Sequence, residues 1–151
     1  MDPISVAFGD DMTNEQPGFK LKWNKCFKTA LFALMFSDAL SKLYYPAVCR
    51  ENKKGIAAQL RKQYLQASLA LIEKKDRKGL LKLLEKAVKD FEAITINNDK
   101  VPVIGVVGEI YIKYNSFSHK HVLDWLSNQG IEVVAPSMYN FFIISFVNQH
   151  I

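Results

Sequence analysis

The chain has 151 residues, 49% of them hydrophobic, and carries 20 Lys+Arg against 15 Asp+Glu for a formal net charge of +5. That is the size and apolar content of one domain with a real core, and no apolar run approaches the ~18 residues that a membrane-spanning helix needs. Most of the excess lysine lies between Lys53 and Lys89, interleaved with Glu73, Asp76 and Glu85, and mixed signs at helical spacing read as a solvated face rather than a nucleic-acid interface.

Met1-Asp2-Pro3 lacks the basic and apolar regions of a signal peptide. Cys26 and Cys49 are solitary, forming neither a Cys-x-x-Cys nor a zinc set, and read as buried thiols in a reducing compartment. The expectation is a cytoplasmic chain without membrane or nucleic-acid partners.

In chain order, Ile4 to Phe8 alternates as a short strand would. From Phe19 to Tyr45 the period turns helical, with Phe27, Ala30, Leu31, Leu34, Met35, Ala39 and Leu43 as the inward stripe, Phe32 and Phe36 widening it, and Pro46 as the stop. A second helix is predicted from Lys54 to Glu73, with Ile56, Leu60, Tyr64, Leu65, Ala67, Leu69, Leu71 and Ile72 apolar. A third follows from Arg77 to Ile94, capped by Asp76, with Leu80, Leu81, Leu83, Leu84, Val88 and Phe91 inward. Thr95 to Lys100 is a polar connector.

Val101 to Val107 is then a β-branched run that reads as a strand of a parallel sheet, buried on both faces. After it, Ser116 to Ser118 offer cap chemistry for a helix containing Val122, Leu123, Trp125 and Leu126, with Gly130 at its left-handed end. Trp23 and Trp125 read as core anchors. Ile131 to Val134 is a second strand ended by Pro136, and Ser137 to Asn148 is a final apolar helix. Strand, helix and strand over about thirty residues make a βαβ unit. The fold class is therefore α/β: a helical layer over 19–95, followed by a Rossmann-like βαβα partial unit over 101–151 with a small parallel sheet.

In open α/β sheets ligands collect beyond the carboxyl ends of the strands, which points to Gly108, Glu109, Tyr111, Lys113 and Asn115 as binding candidates. Each has a plainer reading. Gly105 and Gly108, spaced Gly-x-x-Gly, serve phosphate binding or the close approach of a packed helix. Glu109 is a ligand, a helix cap or a partner of Lys113. Tyr111 is a strand-end aromatic, and Asn115 a turn residue. His119 and His121 diverge on a helix and suit a surface better than a metal. No Ser/His/Asp or Cys/His set has catalytic spacing.

Val103 to Asn115, with Gly130 to Val134 and Pro136 downstream, resembles the 2-hydroxyacyl-CoA dehydratase component family, most of all its large 2-hydroxyglutaryl-CoA dehydratase activator-related members. In that group an aromatic-rich helix, a Tyr-Pro-containing turn and a lysine-rich helical stretch precede the same strand, as Phe27 to Lys89 do here. The resemblance implies α/β subdomains and a mostly parallel sheet. In the parent family it implies a [4Fe–4S] cluster on cysteines and radical elimination of water from a 2-hydroxyacyl-CoA after ATP-driven electron transfer. This chain departs from the pattern in having two cysteines and no Gly-x-x-x-x-Gly-Lys-Ser/Thr loop. The expectation is one domain, 1–151, cut from a larger protein and not catalytically complete alone. It would serve as a scaffold or an acyl-CoA-docking part and hold no cofactor of its own. Its expected partners are the rest of the parent or dehydratase subunits, and a second copy of itself. The alternative is an independent small-ligand module with its crevice at the end of the 101–107 strand.

Overall fold

The computed structural model describes residues 23–95 and 100–148, and the side chains of all of these except 23–26, 142 and 145–148. The elements run α1 (Trp23–Arg50), α2 (Ile56–Glu73), α3 (Arg77–Ile94), β1 (Val103–Gly105), α4 (Ile110–Tyr114), α5 (Val122–Asn128), β2 (Glu132–Val134) and α6 (Met138–Asn148). Three packed helices precede a two-stranded parallel sheet with its own helices, the mixed α/β arrangement expected from the sequence. Ile4 to Phe8 and most of the 95–100 connector lie outside the described residues, as do the side chains of Trp23 and Cys26.

The helical layer closes around Phe36, Leu40, Tyr44 and Ala47 of α1, Ala57 and Tyr64 of α2, and Leu80, Ala87 and Phe91 of α3. Four-residue steps put the α1 set on one stripe. It is rotated from the expected one, because Phe27 and Met35 are exposed and Ala39 and Leu43 are only half-buried. The α1 helix is apolar on several sides, so the period alone does not choose which side faces α2 and α3. On α2 and α3, Ala67, Leu69 and Leu81 likewise face outward.

Pro46 does not stop α1, which continues to Arg50. An interior proline costs a helix about 3 kcal/mol. Here the following turn offsets that by burying Ala47, directing the Arg50 guanidinium onto the Pro46 carbonyl (3.2 Å) and pairing Arg50 with Glu132 at 2.7 Å. Helix α2 starts at Gly55 (φ +93°), which offers no side-chain cap; the Glu51 carboxylate instead accepts from the N–H groups of Gly55 and Ala57, each at 2.7 Å. Asp76 caps α3 as the sequence predicts, accepting from Gly79 N–H at 2.9 Å.

The sheet is smaller than expected. Pairing is Val103 to Glu132, Ile104 to Val133 and Gly105 to Val134, so β1 spans three residues rather than Val101 to Val107. Its length is set by β2, which Ala135 and Pro136 end. Nor is β1 buried on both faces, since Val103 is 58% and Val107 88% exposed. No packed helix explains Gly105, because a Cβ built there would meet nothing within 4 Å. The chain leaves β1 through Gly108, whose φ of +154° suits glycine, and folds into α4 instead of running on extended.

The turn before α5 is held by Asn115 and His119 rather than by Ser116 to Ser118. Gly130 (φ +80°) closes α5 as predicted, with Gly130 N–H donating to the Ser127 carbonyl and Ile131 N–H to that of Leu126, a Schellman arrangement. Trp125 is 59% exposed and anchors no core. Among the described residues no helix is long and apolar enough to cross a membrane.

Two outcomes follow from this packing. Leu40 is fully buried and Leu81 62% exposed. Leu40→Ala should therefore lower the urea-unfolding free energy by about 2–5 kcal/mol, and Leu81→Ala by about 0.5 kcal/mol or less. Tyr64 is buried and donates a hydrogen bond of 2.5 Å to Asp90; burial first, then that bond, raises its phenol pKa well above 10.0. A group with a raised folded pKa stabilises fully below its unfolded value and loses that contribution as pH climbs. Unfolding free energy should thus fall above about pH 10, the tyrosine value. Tyr64→Phe should make the decline shallower, with Tyr44, Tyr45 and Tyr114, all shifted upward, accounting for the remainder.

Candidate functional site

A crevice of about 410 Å³ opens where the chain leaves β2. One wall is the α1 face bearing Ser37, Asp38, Ser41, Lys42 and Tyr45; the other is built from Lys113 and Tyr114 of α4, His119, β2 itself and the Ala135–Met138 turn, with Arg61 of α2 at the rim. It lies at the carboxyl end of a parallel strand, as the fold class leads one to expect. That strand is β2 rather than β1.

The walls are tied together by polar contacts. Tyr114 Oη donates to the Pro136 carbonyl at 2.6 Å, binding α4 to the turn that leaves β2. The N–H of Tyr139, in the first turn of α6, donates to Asp38 Oδ2 at 2.8 Å, so a carboxylate of α1 caps α6 across the crevice. Tyr44 Oη reaches Asp124 at 3.4 Å, and Cys49 Sγ reaches the carbonyls of Tyr45 and Ser127, each at 3.6 Å. Burial pushes the Cys49 thiol up, with Arg50 opposing and Glu132 adding to the shift.

These ties decide the electrostatics. Five lining residues carry fixed charge: Asp38, Lys42, Arg61, Lys113 and Glu132. Glu132 is neutralised by Arg50, both side chains being about four-fifths buried, and Asp38 is engaged by the α6 N-terminus. Among the described residues, Lys42, Arg61 and Lys113 have no carboxylate partner. Arg61 lies over the Tyr44 ring at 4.6 Å and Lys113 over the Tyr114 ring at 4.8 Å, contacts that orient each cation without cancelling it. Val122 N–H donates to His119 Nδ1 at 3.2 Å, which puts the proton of the neutral ring on Nε2. The crevice therefore offers cations and one imidazole donor, a setting for an anion.

Of the five candidates from the sequence, Lys113 alone lines this crevice. Gly108 is exposed and makes the turn after β1. Glu109 is exposed and caps α4, accepting from Ile112 N–H at 3.1 Å, the capping role weighed for it above. Tyr111 is 69% exposed. Asn115 Oδ1 accepts from the N–H groups of Phe117 (3.0 Å) and Ser118 (3.4 Å), the turn role expected of it. His119 and His121 lie in the turn before α5 and at its cap, not on a helix; His121 sits 3.8 Å from Asp124. The residues that sequence reasoning missed, Asp38, Lys42 and Tyr45 above all, had a signal: polar positions at three- and four-residue steps through an otherwise apolar helix.

The resemblance raises the question of a [4Fe–4S] cluster, and the described residues do not fit one. No three His, Cys, Asp or Glu side chains among them converge to hold a metal ion. Cys49 is a thiol donating to carbonyl oxygens, with its pKa raised, whereas cluster ligands are thiolates. In comparisons with known proteins, no family model, curated protein or solved structure matches the chain.

Proposed function

We propose that this chain is a non-catalytic binding domain whose crevice between α1 and the carboxyl end of β2 receives a small organic anion. The observation that carries the reading is the imbalance of charge there: among the described residues Lys42, Arg61 and Lys113 have no carboxylate partner, while both lining carboxylates are already engaged. A volume of about 410 Å³ lies within the range of small-molecule sites. The domain would bind and position rather than transform. Ser37, Ser41, Ser116 and Ser137 line the crevice with His119, but among the described residues none of these hydroxyls is hydrogen-bonded to that imidazole, so no serine there is activated as a nucleophile.

The likeness of Val103 to Asn115 to the dehydratase components supports a narrower identity for that anion, an acyl-CoA thioester. On this reading the chain is one domain of a dehydratase or activator-related protein, works in the cytoplasm, and leaves the chemistry and any iron–sulfur cluster to the rest of the assembly. The cations would meet the carboxylate or phosphate oxygens of such a ligand, and Tyr45, Leu123 and Val133 would border its apolar part.

Isothermal titration of the chain with 2-hydroxyglutaryl-CoA, with CoA and with free 2-hydroxyglutarate tests both levels. Loss of one charge-assisted hydrogen bond is worth about 1.5–3 kcal/mol. Lys42→Ala and Lys113→Ala should each weaken binding by about tenfold or more, while Tyr111→Ala leaves it unchanged. Binding of the free acid alone would keep the crevice and remove the thioester. Binding of none of the three, or binding indifferent to both lysine variants, would remove the crevice reading itself.

A further inference from the structure

The sheet carries an edge that nothing described covers. Glu132 N–H donates to the Pro102 carbonyl and Val106 N–H to that of Val134, so residues 102, 104 and 106 face β2. In a parallel ladder the alternate residues face the other way, so the N–H and C=O groups of Val103 and Gly105 point out of the sheet. Among the described residues β2 is the sole strand partner of β1.

Protein edges are normally blunted by lysine, proline or a bulge. This one has none of these where it would help. Val101 to Gly108 carries no charge, Gly105 projects no side chain, and Val103 is 58% exposed. Pro102 lies in the segment, but its carbonyl faces β2. Its missing N–H is therefore on the paired side and leaves the outer row intact.

We propose that this edge is the docking site for the same edge of a second copy of the chain, paired antiparallel about a two-fold axis at Ile104. The geometry is self-complementary. With the axis there, Val103 of each copy faces Gly105 of the other as a hydrogen-bonded pair, each exchanging both of its outward groups, and Ile104 faces Ile104 as a non-hydrogen-bonded pair. Two copies give four new hydrogen bonds and a continuous sheet in the order β2, β1, β1, β2. Charge agrees with this arrangement: Lys100 precedes the ladder and Glu109, the α4 cap, follows it beyond the Gly108 turn, so antiparallel pairing brings Lys100 of one copy toward the Glu109 end of the other, whereas parallel pairing would set like beside like. The partner is thus a second copy, held along an uncharged ladder that ends in opposite charges.

Sedimentation equilibrium should give a concentration-dependent mass rising toward twice the 17.2 kDa of one chain. Val103→Lys, which places a charge on the outer row, should weaken the dimer at least tenfold, while Val103→Thr leaves it nearly intact. A non-hydrogen-bonded pair brings its Cα atoms to about 4.5 Å, within disulfide reach. Ile104→Cys in a Cys26→Ser, Cys49→Ser background should therefore form a symmetric interchain disulfide on mild oxidation, a readout that survives even if Val103→Lys misfolds. A single-chain mass at 100 μM would overturn the proposal. So would a dimer that ignores Val103→Lys and yields no Ile104→Cys cross-link, because that dimer uses another surface.

Discussion

The last four turns of α1 are the constraint on which the rest of the molecule depends. Phe36, Leu40, Tyr44 and Ala47 bury one side of this stretch against α2 and α3, while the same helix contacts β2, α5 and α6. One helix therefore has to serve two cores, which is why it is apolar on more than one side and runs through Pro46. Its length of 28 residues, about 42 Å at 1.5 Å per residue, lets it span both halves. The Arg50–Glu132 pair ties its end to β2. Such a pair, largely out of water, is worth more as a geometric constraint than as stability, because desolvation offsets much of its attraction.

The two sides of α1 differ in how they are joined. Toward α2 and α3 the contacts are mainly aliphatic and aromatic, with the guanidinium groups of Arg61 and Arg77 laid over the Tyr44 and Phe32 rings. Toward the sheet they include the Asp38–Tyr139, Tyr44–Asp124, Cys49–Ser127 and Arg50–Glu132 contacts, all reaching across from one helix. Apolar packing tolerates small slides, whereas hydrogen bonds fix direction. The crevice occupies the polar side, where its walls hold their spacing through directed bonds.

Much of this was legible in the sequence. The bounds of α3 and its Asp76 cap, the Gly130 ending, the parallel pairing of the 103 and 132 segments, and the capping and turn roles open to Glu109 and Asn115 all rest on local chemistry. What escaped is non-local. The stripe of α1 that faces inward depends on where α2 and α3 lie, and the length of β1 depends on where Pro136 ends β2. The site escaped for the same reason: Lys113 lies more than seventy residues after Asp38 and Lys42, and the three meet only because α1 passes beneath the end of β2. Reasoning from one strand found Lys113 and nothing of the opposite wall.

The uneven distribution of apolar burial has a thermal consequence. Of the eleven buried hydrophobic residues described, nine belong to α1, α2 and α3, and only Leu123 and Val133 to the sheet half. Exposure of apolar surface is what raises heat capacity on unfolding, and exposure of polar surface lowers it. Among the described residues the helical layer therefore carries most of the buried apolar surface that contributes to the heat-capacity change. On cooling, the burial that holds α1, α2 and α3 together loses part of its driving force. Breaking the directed bonds that frame the crevice exposes polar surface, which acts on the heat capacity in the opposite sense, so cooling weakens the apolar side of α1 more than its polar side.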